Sequence, residues 1–192
     1  MPPRQGVFAR GGYYHLYNRG AGRRPIFFNP ANYEHCLRLV KRNLRRCGAA
    51  VIAYCLMPNH YHFLQRQETD VPLSKLIGVV FSAYVQAVNI QQKRSGTLFE
   101  GRFRHKEIDK EAYLVQLCRY IHLNPALTGL CARPEEWPYS NYLEWLGQRE
   151  GTLKDDAFIR EWFGSSAQYQ IFVEDTADEA RMRAQLKRYT WD

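Results

Sequence analysis

Two histidines separated by one residue, His60 and His62, are the side chains of this sequence whose spacing most directly suggests metal chemistry. Alternate side chains of a β-strand point to the same face, so the two imidazoles would lie roughly 6.6 Å apart along one face. Tyr61 and Phe63 would then point to the opposite face, towards a hydrophobic core. Two imidazoles placed in this way can converge on one divalent metal ion. Two histidines on a solvated face would give the same pattern.

A second pair of polar side chains stands further along the chain, in Tyr120-Ile121-His122-Leu123-Asn124-Pro125. If this stretch is a helix, Tyr120 and Asn124 project from one face, one turn apart. A phenol can be a nucleophile, and the amide oxygen of Asn124 can be a third metal ligand. His122, two residues from Tyr120, should face elsewhere. The same spacing also fits a core tyrosine and an asparagine at the end of a helix.

The elements that must position these side chains can be predicted from hydrophobic periodicity and from turn signals. Their order is β-α-β-β-α-β followed by a helix, which is the ferredoxin-like split βαβ pattern, an α+β fold with an antiparallel sheet and helices on one face. The predicted strands cover 13–19, 49–56, 60–65 and part of 98–108, a short extended piece covers 27–28, and the predicted helices cover 31–47, 73–93, 110–123 and about 175–189.

Four residues mark the predicted helix ends. Asn29 before Pro30 is a suitable start for the first helix, and Gly48 is a suitable end. Asp109 is the expected N-cap of the third helix. Pro125 is expected to close that helix, because proline disfavours the helical conformation in the residue before it.

Length and composition limit the classes of protein that the chain can represent. Its 192 residues, of which 45% are hydrophobic, suit one compact domain with a small appendage. No run of eighteen apolar residues predicts a membrane span, and residues 1–6 do not read as a signal peptide, so we expect a cytoplasmic protein that does not contact a membrane. The five cysteines include no C-x-x-C pair, and we expect reduced, mostly buried thiols.

The net charge of +8 is unevenly distributed. Residues 1–149 carry +11, which is typical of a protein that binds a polyanion, whereas residues 150–192 carry −3. We therefore divide the chain into a domain at 1–149 and an acidic helical extension at 150–192. The extension either covers the basic surface as a restraining lid or packs against the outside of the domain.

The motifs together resemble a known family. Met57-Pro58-Asn59-His60-Tyr61-His62, the basic region Phe99–Ile108 and Tyr120-Ile121-His122-Leu123-Asn124-Pro125 occur in the order and at the separations seen in HUH-type single-tyrosine transposases. Trp137-Pro138-Tyr139-Ser140 also resembles the sequences of one branch of that family, which is associated with repeated extragenic palindromes (REPs). The resemblance covers roughly residues 12–145.

The resemblance implies that His60, His62 and Asn124 bind Mg²⁺ or Mn²⁺, although the family often has Gln at the third position and imidazole would also suit zinc. It implies that Tyr120 cleaves single-stranded DNA through a 5′-phosphotyrosine and passes the strand to a 3′-OH, in effect a transposase. The implied partner is a REP-like DNA hairpin with a flanking single strand, and we expect a monomer, with a dimer as the alternative.

Basic residues near the motifs are candidates for DNA contacts. Arg102 and Arg104 alternate with Phe103, so both could share the sheet face of the histidines. The full set of candidates is Arg19, Arg23, Arg24, Arg42, Arg45, Arg46, Arg102, Arg104 and Lys106. An ordinary solvated surface would also contain such residues.

Two other classes of function fit parts of the sequence. A non-catalytic module, or a domesticated transposase, would bind nucleic acid through a ferredoxin-like sheet and would need neither the histidine pair nor the phenol. A metal-dependent hydrolase would use His60 and His62 with a water nucleophile and would leave Tyr120 dispensable.

Overall fold

A four-stranded antiparallel sheet with the order β2-β3-β1-β4 forms the centre of the computed structural model. The model describes residues 8–175 and residue 182. Strand β1 pairs with both β3 and β4, and β3 pairs with β2. The strands are β1 (Tyr13–Arg19), β2 (Ala49–Met57), β3 (His60–Gln67) and β4 (Arg104–Ile108).

This strand order is that of the split βαβ unit, because β3 lies between β1 and β2. The connections are α1 (Pro30–Cys47) between β1 and β2, and α2 (Leu73–Gln91) between β3 and β4. The predicted ferredoxin-like α+β fold is therefore confirmed.

The predicted ends of α1 are observed. The side chain of Asn29 accepts a hydrogen bond from the amide of Asn32 at 3.1 Å, which caps the helix. At the other end Gly48 has a φ of 57°, in the left-handed region that favours glycine. A Cβ atom at this position would also lie 2.0 Å from Oγ1 of Thr69, so a larger residue would not fit.

One face of the sheet packs against α1 and α2. Tyr61 and Phe63 point into this core, as their alternation with the histidines predicts, and they are 1% and 0% exposed. Helix α2 is long and apolar enough to span a membrane by length and composition alone. The apolar side chains of α2, which include Leu76 and Val80, pack into this core, and this packing explains the apolar composition of the helix.

The other face of the sheet carries a second core beneath α3 (Glu111–Leu127). Buried side chains of α3 contact Leu64 and the residues of β2 that share its face. The chain then adds three short helices that pack on the same core, namely α4 (Tyr142–Trp145), α5 (Asp156–Phe163) and α6 (Ser166–Glu174).

Helix α3 differs from the prediction at both ends. It starts one residue later, with Lys110 and not Asp109 at the N-cap position, and it continues through Pro125 to Leu127. The helix tolerates the lost amide hydrogen bond and the ring of Pro125 in its last turn, where Asn124 (2% exposed) and Pro125 are both buried. The new end is closed by Thr128, whose hydroxyl donates to the carbonyl of Asn124 at 2.9 Å.

Two other predicted elements differ from the structure, and a third is not tested by it. The fourth strand begins at Arg104, so Arg102 lies in the preceding turn. Phe27 and Phe28 are not in a strand. The predicted helix at about 175–189 lies almost wholly outside the described residues.

Candidate active site

Strand β3 places the two histidines on the sheet face covered by α3. His60 is paired in register with Met57 of β2, and His62 lies between Cys55 of β2 and Tyr17 of β1. The two imidazole centroids are 5.0 Å apart and the ring planes are at 85° to each other. The alternation seen in the sequence therefore brings both rings to one place.

Helix α3 brings Tyr120 and Asn124 to the same place. The Tyr120 ring lies edge-on to His62, with 5.7 Å between the centroids, and Tyr120 is only 5% exposed. Oδ1 of Asn124 is 3.2 Å from Nε2 of His60. The four predicted site residues thus converge, although they come from a strand and from a helix far apart in sequence.

These four side chains line one cleft with a volume of about 440 Å³. The cleft opens between α3, the β2–β3 turn and the loop after β1, so it combines the two motifs with a basic rim. Its other lining residues are Arg19, Arg23, Pro25, Met57, Pro58, Asn59, Thr128 and Leu130.

Asn59 determines which nitrogen of His60 faces the cleft. Its amide nitrogen donates to the carbonyl of Arg23 at 3.2 Å, which turns Oδ1 towards Nδ1 of His60 at 2.7 Å. Since Oδ1 can only accept, Nδ1 of His60 carries the proton and donates. The other ring nitrogen, Nε2, faces the cleft and lies 3.2 Å from Oδ1 of Asn124.

His62 is fully enclosed, with 1% exposure. Its Nδ1 is 2.9 Å from Nε2 of His15, and its own Nε2 is buried without a hydrogen-bond partner among the described residues. Burial, with smaller effects of His60 and His15, holds the pKa of His62 well below its usual value. The ring is therefore neutral at physiological pH and able to bind a cation.

These atoms fit a divalent metal ion. Ligands on neighbouring vertices of an octahedron with bonds of about 2.1 Å lie about 3 Å apart, close to the 3.2 Å between His60 and Asn124. The described part of the chain contains no cluster of three or more His, Cys, Asp or Glu side chains. The donors that the predicted site residues bring to this cleft are two imidazoles and one amide oxygen.

We expect Asn124→Ala to raise the dissociation constant for Mn²⁺ at least about tenfold, because it removes one of three donor groups. Asn124→Asp should lower it, since a carboxylate is the better ligand for a hard cation. Titration of each DNA-free variant with Mn²⁺, followed by electron paramagnetic resonance (EPR), measures both changes. Equal affinities for wild type and Asn124→Ala would remove Asn124 from the ligand set.

Two of the predicted DNA-binding arginines lie at the cleft. Arg19 and Arg23 both line it. The guanidinium of Arg19 is held by the carboxylate of Glu100, with Nη2 3.0 Å from Oε1, and this pairing raises the pKa of Arg19. Arg19 is therefore fixed in orientation at the rim.

The other predicted cations are more dispersed. Arg104 and Lys106 lie on β4, and the register with β1 places them on the face of His62, beyond Tyr17 and His15. Arg24 and Arg102 are exposed in loops and do not line the cleft. The remaining three, Arg42, Arg45 and Arg46, are exposed on α1, which covers the opposite face of the sheet.

His122 faces away from the cleft, as its position on the helix predicts. Its Nε2 donates to Oδ1 of Asn141 at 2.9 Å, and its Nδ1 accepts from the hydroxyl of Tyr169 at 2.6 Å. The Asn141 orientation is fixed because its amide nitrogen donates to the carbonyls of Ile52 and Leu153. Both nitrogens of a neutral His122 are therefore satisfied, and the residue joins α3 to the elements behind it.

Burial lowers the pKa of His122 from 6.5 to about 4. The unfolded chain takes up a proton near pH 6.5 whereas the folded chain does not, so this residue should cost stability as the pH falls from 6.5 to 4. The expected loss is about 3 kcal/mol. Urea unfolding of wild type and of His122→Gln between pH 7.5 and 4 measures it. Parallel stability profiles for the two proteins would contradict the assignment.

Two residues that shape the site were not selected from the sequence. Asn59 belongs to the Met57–His62 motif, but its role depends on a contact with the carbonyl of Arg23. His15 lies in the correctly predicted β1, yet its contact with His62 depends on the register between β1 and β3. A one-residue shift of register would reverse the face of His15, so the sequence alone offered no signal for it.

The structure has a ferredoxin-like sheet that presents a histidine pair under a helix with a buried tyrosine. This is the arrangement that was predicted for a single-tyrosine transposase. Residues 9–124 match the family model described as "Transposase IS200 like". The chain therefore belongs to the family of IS200-like transposases, and the family predicted from the motifs is confirmed. No curated protein matches the chain.

One solved structure agrees with this assignment at the level of the fold. The REP-associated tyrosine transposase bound to a REP hairpin superposes with a TM-score of 0.67 at 17% identity, over 81% of this chain and 94% of that one. A candidate transposase from Deinococcus radiodurans R1 is more distant, with a TM-score of 0.43 at 14% identity, over 62% of this chain and 95% of that one.

Proposed function

We propose that this transposase cleaves single-stranded DNA by transesterification, with Tyr120 as the nucleophile. The observation that supports this most directly is the placement of the Tyr120 ring beside His62, in the cleft that also contains His60 and Asn124. A nucleic-acid-binding surface alone requires no such combination of a phenol with two imidazoles and an amide oxygen.

In the proposed step, the phenol oxygen of Tyr120 forms a bond to phosphorus and the bond from phosphorus to the 3′ oxygen breaks. The phenol loses its proton and the departing 3′ oxygen gains one, giving a 5′-phosphotyrosine and a free 3′-OH. A phenol has a pKa of ~10, so a phenolate is a much better leaving group than an alkoxide. An incoming 3′-OH can then reverse the link, which gives strand transfer without a nucleotide cofactor.

His60, His62 and Asn124 would hold the divalent ion, Mg²⁺ or Mn²⁺. When bound, it supplies charge that polarises the scissile phosphate. The chain itself orients the donors, since Asn59 fixes the ring of His60 and the second core fixes α3. Burial of Tyr120 and His62 also keeps bulk water from the phosphorus, which favours transfer to a 3′-OH over hydrolysis.

The proposed substrate is a DNA hairpin with a flanking single strand. One solved structure with this fold is a REP-associated tyrosine transposase bound to a REP hairpin, and the net charge of +8 suits a polyanion. We propose that Arg23 and the Glu100-paired Arg19, which line the rim of the cleft, bind the phosphates next to the cleaved bond. We propose action as a monomer in the cytoplasm, on the chromosome.

A labelled-DNA assay tests the proposal against its two rivals. Hairpin DNA with a single-stranded flank, labelled at the 5′ or the 3′ end, is incubated with the protein and Mg²⁺ or EDTA. We expect a Mg²⁺-dependent covalent adduct on the DNA that lies 3′ of the cut, and mass spectrometry should place it on Tyr120. Cleavage without an adduct would indicate a metal-dependent hydrolase. Binding without cleavage would indicate a binding module or a domesticated transposase.

A further inference from the structure

His15 and His62 form a buried pair of imidazoles with a short nitrogen–nitrogen distance. His15 is 0% exposed, and its Nε2 lies 2.9 Å from Nδ1 of His62. The register pairs Tyr17 with His62, so His15 is the diagonal neighbour on the adjacent strand. His15 lies behind the cleft and does not line it.

A distance of 2.9 Å between two ring nitrogens requires one proton between them. If His15 supplied this proton, a neutral His62 would carry its own proton on Nε2. That N–H would be buried without an acceptor among the described residues, which costs free energy. If Nδ1 of His62 donates to His15, the Nε2 atom carries a lone pair.

We propose that His15 is a positioning residue, which holds His62 as the Nδ1–H tautomer and thereby directs the Nε2 lone pair to the metal position of the cleft. This inference rests on the proposed function, because it concerns the same site. It extends that function from the three donor residues to the residue that orients one of them. Outer partners of metal-binding histidines commonly have this role, and their loss usually weakens metal binding 10- to 100-fold.

The surroundings of His15 fit this role. Its ring stacks on that of Tyr17, with 4.6 Å between the centroids and 27° between the planes, so it has little freedom to rotate. A carboxylate in place of His15 would also orient His62, but its negative charge would make His62 hold the cation more tightly. A neutral imidazole orients the ring without this charge, which suits an ion that must exchange.

The tautomer can be tested before any metal is added. In the DNA-free protein, long-range ¹H–¹⁵N spectra of labelled histidine distinguish protonated from unprotonated ring nitrogens. We expect protonated Nδ1 and unprotonated Nε2 at His62 in wild type, and loss of this fixed state in His15→Phe. Protonated Nε2 at His62 in wild type would overturn the proposal.

Metal affinity provides the second measurement, by EPR titration of the DNA-free protein with Mn²⁺. We expect a 10- to 100-fold higher dissociation constant for His15→Phe. His15→Gln should be within about threefold of wild type, since its amide oxygen can accept the same proton. His35→Phe is the matched control, because His35 lies on α1 and packs near Tyr84, away from the cleft. Circular dichroism and thermal unfolding check that each variant is folded.

The outcomes separate this inference from the proposed function. Unchanged Mn²⁺ affinity in His15→Phe, or an equal loss in His15→Gln, would overturn the role of His15 while a covalent adduct at Tyr120 would still support the function. An absent adduct with the expected Mn²⁺ affinities would overturn the function and leave the orientation of His62 by His15 in place. Absence of Mn²⁺ binding in wild type would overturn the inference directly.

Discussion

Tyr120→Phe should abolish the covalent adduct and lower DNA cleavage at least about 10⁴-fold, because it removes the attacking oxygen and keeps the ring. The phenylalanine ring keeps the edge-on contact with His62, whose centroid is 5.7 Å from that of Tyr120. Stability, Mn²⁺ binding and affinity for uncleaved hairpin DNA should therefore remain close to wild type. Denaturing gels of labelled DNA measure the adduct, and a filter-binding assay measures the affinity.

The matched control for this substitution is Tyr113→Phe. Tyr113 lies on the same helix but does not line the cleft, so the variant should cleave at close to the wild-type rate. Cleavage by Tyr120→Phe at a comparable rate would show that water or another side chain attacks, and the hydrolase reading would then replace ours.

Deletion of residues 150–192 should unfold the protein and should not activate it. Four buried side chains of α5 and α6, namely Phe158, Ile159, Tyr169 and Val173, belong to the core under α3. Their burial is worth about 8 kcal/mol in total at about 2 kcal/mol each, within the 5–15 kcal/mol that usually stabilises a whole domain. Circular dichroism and solubility should show the loss, and DNA cleavage should disappear with it.

Single substitutions separate packing from a lid. Phe158→Ala should cost about 3–5 kcal/mol in the free energy of unfolding, whereas Ile171→Ala should cost less than about 0.5 kcal/mol, since Ile171 is 69% exposed. Urea unfolding measures both. A folded deletion variant that cleaves faster than wild type would support the lid, the alternative that the charge of the extension first suggested.

Local patterns were sufficient to predict most of the sheet and the two helices, α1 and α2, that cover one of its faces. Tyr13–Arg19 was predicted with its observed bounds, because alternation and aromatic residues act within a single strand. The predicted end of α3 was wrong because the helical conformation of Asn124, which Pro125 locally disfavours, is stabilised by the burial of Asn124. Burial depends on the tertiary fold, which a local signal cannot include.

The candidate site divides in the same way. Spacing placed His60 with His62 and Tyr120 with Asn124, since each pair lies within one element. The resemblance to a family, rather than any spacing, joined the two pairs. The contacts of Asn59 with Arg23 and of His15 with His62 cross between elements. Such contacts depend on strand register and loop path, which no short pattern in the sequence records.

Asn124 and Tyr120 occupy successive turns of one helix, and this has a thermodynamic consequence. An ion held jointly by Asn124 and the strand histidines would link the docking of α3 to the concentration of free metal. At one hundred times the dissociation constant, this linkage would add about 2.7 kcal/mol to the docked arrangement. The concentration of free divalent cations would then contribute to the fraction of molecules in which α3 is docked and Tyr120 lies in the cleft before DNA binds.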